Sequence, residues 1–422
     1  MIDVQERAHT RASWEDLYHT GPGTLAGRYL RTFWHPVLRA EDLPVGKAKP
    51  IRIMSQYLTV YRGEVEDRVI PTEGGNPYPP AGVTDSSAAP RNDTGGRPHV
   101  VDFRCAHRRT QLSIGWVEGD AIRCRYHGWA YDASGQCVEQ PGEPEPFCNR
   151  IKIAGYPTEE YLGLIFAYLG EGDPPPLPRY PDFEGPGLLD VTTYVRNCNY
   201  GNNLDNDSLH TYFVHRFPRN DWRKWQGNPP RMSAKETAYG TKHFVAGQSE
   251  DAASVLEAAR GMPNVSFRLA SSDYSASHGG APPTDVVAWR VPIDDESYLS
   301  LTVNLVHVRD EEERQRYIER RAQKAAMSGG PEEMERLAER VLAGELEYDG
   351  VDLPMDALVI LQDHVTQQGQ GAYYDRREEH LGSTDAEVIL RRNVMMRELR
   401  ALAEGRPLKQ WAAPSRATMA GQ

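Results

Sequence analysis

The chain has 422 residues, a formal net charge of −12 and five cysteines. That length is too great for one simple core and suits two domains. The acidic balance, with no basic run, argues against nucleic acid as a partner, and no apolar stretch is long enough to span a bilayer. Residues 1–20 are polar and charged, so they do not read as a signal peptide.

In chain order, residues 13–40 read as helical. Gly21-Pro22-Gly23 makes a break, and Thr24 is placed to cap the next helix. Short apolar runs at 51–54 and 57–61 suit strands. Residues 64–98, rich in Pro, Gly, Ser and Asp, read as a long surface insertion. Strands are then expected at 100–103, 152–156 and 164–168. The run Pro174-Pro175-Pro176-Leu177-Pro178 is a stiff linker and the clearest domain boundary. Beyond it, strands at 264–269, 286–293 and 298–308 suit an antiparallel sheet walling a cavity. Helices are expected at 311–327, 331–342 and 386–403. No fixed-period repeat is present.

Two segments carry chemistry. The first is Cys105-Ala106-His107, sixteen residues, then Cys124-Arg125-Tyr126-His127. A [2Fe–2S] cluster needs two protein ligands on each iron. Two cysteines can serve one iron and two histidines the other, which raises the potential above that of an all-cysteine cluster. A zinc ion held by the same four residues is the rival reading. Gly115 and Gly128 lie near the two loops, at places where a positive φ can be needed. The second segment is Asp207-Ser208-Leu209-His210, four residues, then His215. On a helix, positions five apart differ by about 140° beyond one turn, so both imidazoles reach one metal only where the helix bends, ends or widens. Two His and one carboxylate make the facial triad of non-haem iron sites. Taken alone, two histidines this close are as readily ordinary surface or core residues.

Cys105-Ala106-His107-Arg108 together with Cys124-Arg125-Tyr126-His127-Gly128-Trp129 resembles the motif of the Rieske non-haem iron oxygenases. The likeness is to their oxygenase (alpha) component and to the phthalate dioxygenase-like branch. Respiratory Rieske proteins carry an extra Cys after each ligand loop. This chain has Thr110 and no Cys there, as in the oxygenase branch. The resemblance runs from about residue 21 to about 406 and is strongest at the two metal motifs.

It implies an α+β fold. An N-terminal helical segment, 1–45, would pack on the catalytic domain. An all-β Rieske domain would span 46–170, with an insertion at about 64–98. A catalytic mononuclear iron domain would span 175–422, built on an antiparallel sheet with surrounding helices of helix-grip type. It also implies cofactors and roles. Cys105, His107, Cys124 and His127 would hold the [2Fe–2S] cluster, and His210, His215 and Asp363 a mononuclear Fe(II), Asp363 being the acid of Gln362-Asp363. His364 would be a bystander and Asp356 the fallback ligand. Asp207 would bridge His210 to His127 of the partner subunit in a homotrimer or a multiple of three, coupling the two centres. Spacing to His210 selects Asp207 over Asp205. Asn203 would be a supporting amide.

The function so implied is that of a terminal oxygenase. It would take O2, and electrons from a separate ferredoxin or flavin reductase, to hydroxylate an aromatic substrate, an aromatic acid above all. NAD(P)H would be oxidised only by that reductase, because no dinucleotide or flavin fingerprint is present. O-demethylation of a methoxylated aromatic acid is the alternative of the same class. A Rieske electron carrier or zinc-binding protein without catalytic iron is the alternative of another. Cys137, Cys148 and Cys198 read as reduced thiols in a cytoplasmic protein. Arg268, Trp289, Arg290, Asn304 and His307 are the residues from which a substrate pocket would be drawn, with strand parity left open.

Overall fold

The computed structural model describes residues 12–64, 96–206, 231–246, 256–270, 281–347 and 351–420. Most of the 64–98 insertion, and Asp207, His210 and His215, lie outside the described residues. The chain divides into two compact units, one of residues 38–51 and 57–167, the other of residues 1–37, 52–56 and 168–422.

The smaller unit is all-β. Its strands, of which residues 34–37 of β1, 52–53 of β2, 56 of β3 and 168 of β11 fall in the larger unit, are β1 (Trp34–Arg39), β2 (Ala48–Ile53), β3 (Gln56–Arg62), β4 (Pro98–Asp102), β5 (Trp116–Glu118), β6 (Ala121–Arg123), β7 (Ala130–Tyr131), β8 (Cys137–Glu139), β9 (Gly155–Tyr156), β10 (Thr158–Tyr161) and β11 (Leu164–Tyr168). They form two four-stranded sheets, β2-β3-β4-β9 and β5-β6-β7-β8, and a three-stranded one, β1-β11-β10. Residues 34–39 were expected to continue a helix and instead form β1. Helix α1 (Leu25–Arg31) stops three residues earlier. Pro36 is the reason: its ring fixes φ and bars the helical region to His35 before it. Thr24 does cap α1, its Oγ1 accepting from the Gly27 amide at 3.1 Å. The core of this unit gathers Tyr61, Val101, Leu112, Ile122, Trp129 and Tyr131 around Cys105 and Cys124.

The larger unit is organised by one seven-stranded antiparallel sheet. Its strands are β12 (Leu188–Arg196), β13 (Arg231–Glu236), β14 (Gly240–Ala246), β15 (Leu256–Gly261), β16 (Val265–Ala270), β17 (Thr284–Pro292) and β18 (Tyr298–Val306), in the order β12-β18-β17-β16-β15-β14-β13. The register sets Tyr194 opposite Ser300 and Ser300 opposite Arg290, and likewise Arg268, Val286, Asn304 and Asp190 in one row. With side chains alternating along each strand, these rows share one face. The other face carries Phe267, Val287, Trp289, Leu301 and Val303, all buried; Tyr180 packs on Phe267 and Trp289, and Phe183 on Phe267.

The polar face meets helices. These are α2 (Tyr200–Leu204), α3 (Glu311–Ser328), α4 (Gly330–Leu342), α5 (Met355–Gln368) and α6 (Ala386–Ala403). Met334 and Ala338 of α4 pack on Leu361 and Val365 of α5. Burial of each of the larger side chains contributes about 1.5–3 kcal/mol. This leaves the other side of α5 to meet α2 and the sheet. Glu387 of α6 accepts from Thr241 Oγ1 at 3.1 Å and bonds His243 Nδ1 at 2.9 Å, tying α6 to β14. The N-terminal segment belongs to this unit: Tyr200 Oη donates to the Leu17 carbonyl at 2.8 Å, and Trp411 Nε1 to Tyr29 Oη at 3.1 Å.

Candidate metal centres

The two Cys–His loops are built alike. In each, the cysteine amide donates to the carbonyl five residues on, Cys105 to Thr110 at 2.8 Å and Cys124 to Trp129 at 2.9 Å. The residue four after each cysteine donates back to the cysteine carbonyl, Arg109 at 3.0 Å and Gly128 at 3.0 Å. That residue is left-handed in both loops, with φ 64° at Arg109 and 77° at Gly128. The arginine before each cysteine then closes the loop from outside. Arg104 Nη1 donates to the Arg109 carbonyl at 2.9 Å, and Arg123 Nη1 to the Gly128 carbonyl at 2.7 Å. The shared Arg-Cys pairs were the sequence signal for this duplication, and sequence reasoning passed over them.

The loops differ in one respect. A Cβ at Gly128 would sit 2.7 Å from Pro141 Cγ, whereas Arg109 is exposed and keeps its side chain. Gly115 was expected to need a positive φ. Its φ is −68°, and its requirement is close approach, since a Cβ there would meet the Arg123 carbonyl oxygen at 2.5 Å.

The loops place unlike donors at unlike depths. Cys105 and Cys124 are 1% and 2% exposed, inside the core. His107 and His127 lie at the loop tips with ring centroids 4.5 Å apart, and His107 stacks on Trp129 at 4.6 Å. His107 Nδ1 is buried and has no hydrogen-bond partner among the described residues. An unpaired buried ring nitrogen is costly unless something else takes its lone pair or proton. Burial pushes the Cys124 thiol up, as does Cys105 beside it, while the Tyr126 and His127 amides pull it down. Burial, then His107 and Arg108, lower His127, which favours the neutral ring that a metal requires. Two adjacent thiols, two adjacent imidazoles and an orphaned ring nitrogen fit a [2Fe–2S] group. The Ala106 amide donates to Tyr131 Oη at 3.0 Å, and Tyr131 Oη shares a hydrogen bond with Cys105 Sγ at 3.2 Å.

In the larger unit, Asp363 sits on α5, and its Oδ1 accepts from Asn206 Nδ2 at 3.4 Å. Asn206 follows Asp205 and directly precedes Asp207, so the structure brings Asp363 to the threshold of the segment holding the two candidate iron histidines. Asp205 is committed elsewhere: its Oδ2 accepts from Arg392 Nη2 at 2.7 Å and Arg376 Nη1 at 3.0 Å. His364 is buried against Glu335 of α4, with Nδ1 to Oε2 at 3.0 Å, and burial lowers it. The side chain of Asp356 lies outside the described residues.

Asn203 was expected as a supporting amide, and it joins two arginines. Its Oδ1 accepts from Arg290 Nε at 2.7 Å, and its Nδ2 donates to Gln367 Oε1 at 3.1 Å. Gln367 Oε1 also accepts from Arg196 Nη1 and from Tyr298 Oη. Arg196 and Gln367 gave no sequence signal, because an ordinary strand Arg and helix Gln look the same. Of the pocket candidates, Arg268, Arg290 and Asn304 share the polar face. Trp289 lies on the apolar face beneath Tyr180, and His307 bonds Asp285 at 2.8 Å.

Comparison with known proteins places these features. Residues 33–157 match the family model described as Rieske [2Fe-2S] domain. Over 404 residues the chain is 26% identical to the 5,5'-dehydrodivanillate O-demethylase oxygenase subunit of Sphingobium sp. (strain NBRC 103272 / SYK-6), covering 93% of this chain and 80% of that protein. It is 30% identical over 243 residues to the 3-chlorobenzoate-3,4-dioxygenase oxygenase subunit of Comamonas testosteroni, covering 54% of this chain and 49% of that one. A carbazole-bound oxygenase, solved in the oxygenase and ferredoxin complex of carbazole 1,9a-dioxygenase, superposes with a TM-score of 0.56 at 17% identity, covering 94% of this chain and 98% of that one. The smaller unit is thus a Rieske iron–sulfur domain. Along most of its length the chain resembles proteins named as oxygenase subunits. Among the described residues, no helix is long and apolar enough to cross a membrane.

Proposed function

We propose that this chain is the terminal oxygenase component of a Rieske non-haem iron system that hydroxylates an aromatic acid, using O2 and electrons from a separate ferredoxin or flavin reductase. The observation that carries this reading is the pairing of the duplicated Cys–His loops with Asp363, which is held one residue from the Asp207-x-x-His210-x-x-x-x-His215 run. Cys105, Cys124, His107 and His127 would hold the cluster; His210, His215 and Asp363 would hold the mononuclear iron. When bound, the cluster supplies single electrons and the mononuclear iron supplies open positions for dioxygen and substrate.

The residues have separate tasks. Tyr131 would donate to the Cys105 sulfur and so favour the reduced form. The Asp207 carboxylate would accept from His210 and from His127 of the partner subunit, fixing both tautomers. That pairing needs a second copy of the chain, and the assembly we propose is a homotrimer or a multiple of three. Arg290 and Arg268, on the polar face of the sheet, match the carboxylate of an acid substrate. The ferredoxin named with the carbazole oxygenase supports a separate electron donor. Reduced Cys137, Cys148 and Cys198 suit a cytoplasmic protein.

A second reading is O-demethylation of a methoxylated aromatic acid, favoured by the demethylase relative that spans nearly the whole chain. Iron-loaded, reduced enzyme exposed to oxygen with aromatic acids and their methoxy analogues separates the two. One or two oxygens added to the ring, without formaldehyde, is the expected result. Formaldehyde with a new phenol establishes the demethylase. No product from any pair, with cluster and iron both in place, removes the aromatic-acid substrate.

A further inference from the structure

Asp205 closes α2, two residues ahead of Asp207, and it is bonded far more heavily than a helix-end carboxylate needs. Its Oδ2 accepts from Arg392 Nη2 at 2.7 Å and Nε at 3.2 Å, from Arg376 Nη1 at 3.0 Å and from Tyr18 Oη at 3.4 Å. Glu379 takes the same two arginines from the other side, at 3.3 Å from Arg376 Nη1 and 3.0 Å from Arg392 Nη2. Arg376 lies 3.9 Å over the Tyr18 ring, and its Nη2 donates to Asn202 Oδ1 at 2.7 Å. Side-chain exposures in this quartet run only from 7% to 17%.

Two cations and two carboxylates therefore balance in a nearly dry site. They come from three stretches far apart in sequence, α2, residues 376–379 and α6, and Tyr18 of the N-terminal segment joins them. Asn206, next in the chain, is held as well, its carbonyl accepting from Arg260 Nη2 at 2.8 Å while its amide reaches Asp363. A buried ionic quartet is a poor source of net stability, because desolvating its charges offsets most of their attraction. What it provides is direction: several charge-assisted bonds fix one backbone position within tight limits. Here that position is the last one before residues 207–215.

We propose that the Asp205–Arg376–Arg392–Glu379 quartet is the clamp that sets where the chain enters the iron-holding segment. Asp205, Arg376 and Arg392 are then positioning residues for the mononuclear iron, a proposal that rests on the iron-ligand assignment above. Loosening the clamp weakens iron binding and leaves the cluster, in the other unit, untouched.

The test uses full-length, iron-loaded protein. Mononuclear iron affinity is read by chelator competition, cluster content by visible absorbance, and folding by Tm. Asp205→Asn and Arg376→Gln are each expected to weaken iron affinity at least about tenfold at unchanged cluster content, in the range that supporting-shell changes produce. Glu236→Gln breaks a different ion pair on α6, to Arg397 at 2.8 Å, and should leave iron binding as it was. His210→Ala tests the ligand assignment itself: retained iron there removes that assignment, whatever the clamp does. Iron affinity within about twofold of the parent in both clamp variants, with His210→Ala stripped of iron, overturns the clamp. Equal weakening by Glu236→Gln also overturns it, because general loosening of α6 would then explain the effect. Should Asp205→Asn not fold, Arg376→Gln decides, since it leaves Arg392 on Asp205.

Discussion

The two halves of this protein assemble their proposed metal-binding residues by opposite routes. In the smaller unit, two loops of seven residues each, 104–110 and 123–129, are closed by the same pattern of backbone and arginine bonds. Each loop carries its own thiol inward and its own imidazole outward. In the larger unit, Asp363 meets Asn206 across 157 positions of sequence, through contacts among α2, α5 and the sheet. Local bonding makes a site robust to change elsewhere. A site made by distant elements depends on everything that holds those elements together.

The largest expected effect separates the two routes outright. Cys124→Ser should abolish the cluster's visible absorbance while mononuclear iron still binds. Asp363→Ala should lose the mononuclear iron with the cluster spectrum intact. Metal analysis and absorbance on each variant check this, and loss of the cluster in Asp363→Ala would mean the two ligand sets are crossed. Asp207→Ala should keep both metals yet slow coupled turnover by about 100-fold, at the upper end for an outer-shell partner. Near-normal turnover would end the bridging role.

A smaller effect compares the two loops with each other. Gly128→Ala meets both a left-handed φ and Pro141, and should cost about 1–3 kcal/mol in a denaturant titration. Arg109→Gly relieves the same strain and should cost less than about 1 kcal/mol, even with its exposed side chain removed. Equal losses would show that the loops are not equivalent in the way their bonds imply.

Acid should act on the larger unit. The His243 bond and the charges of Arg260 and Arg391 outweigh burial and hold Glu387 at about 2, below its ordinary 4.5. A carboxyl depressed on folding stabilises above its unfolded value, and that stabilisation drains away as pH falls from about 4.5 to about 2. Wild-type protein should therefore lose Tm across that window more steeply than Glu387→Gln, by something on the order of 3 kcal/mol in total. Parallel curves would deny Glu387 its part. The smallest effect is on potential. Tyr131→Phe removes the hydroxyl beside the Cys105 sulfur and should lower the cluster's midpoint on the order of 50 mV, read by redox titration. An unchanged potential would show that the phenol proton points elsewhere.

The sequence by itself determined the cluster motif, because Cys-x-His and Cys-x-x-His are ligand sets closed within single loops and need no distant partner to be recognised. It also determined most strands and helices, where apolar periodicity or a cap such as Thr24 is a local property. It misplaced the end of the first helix by underweighting Pro36, and it gave Gly115 a dihedral reason where the reason is crowding. Tertiary structure alone decided the rest. Sheet register put Arg290 and Trp289, neighbours in sequence, on opposite faces. Asp205 is held by an ion network built from Tyr18, Arg376, Glu379 and Arg392. No spacing rule could gather these residues, because they meet only after the N-terminal segment, α2 and α6 have packed against one another.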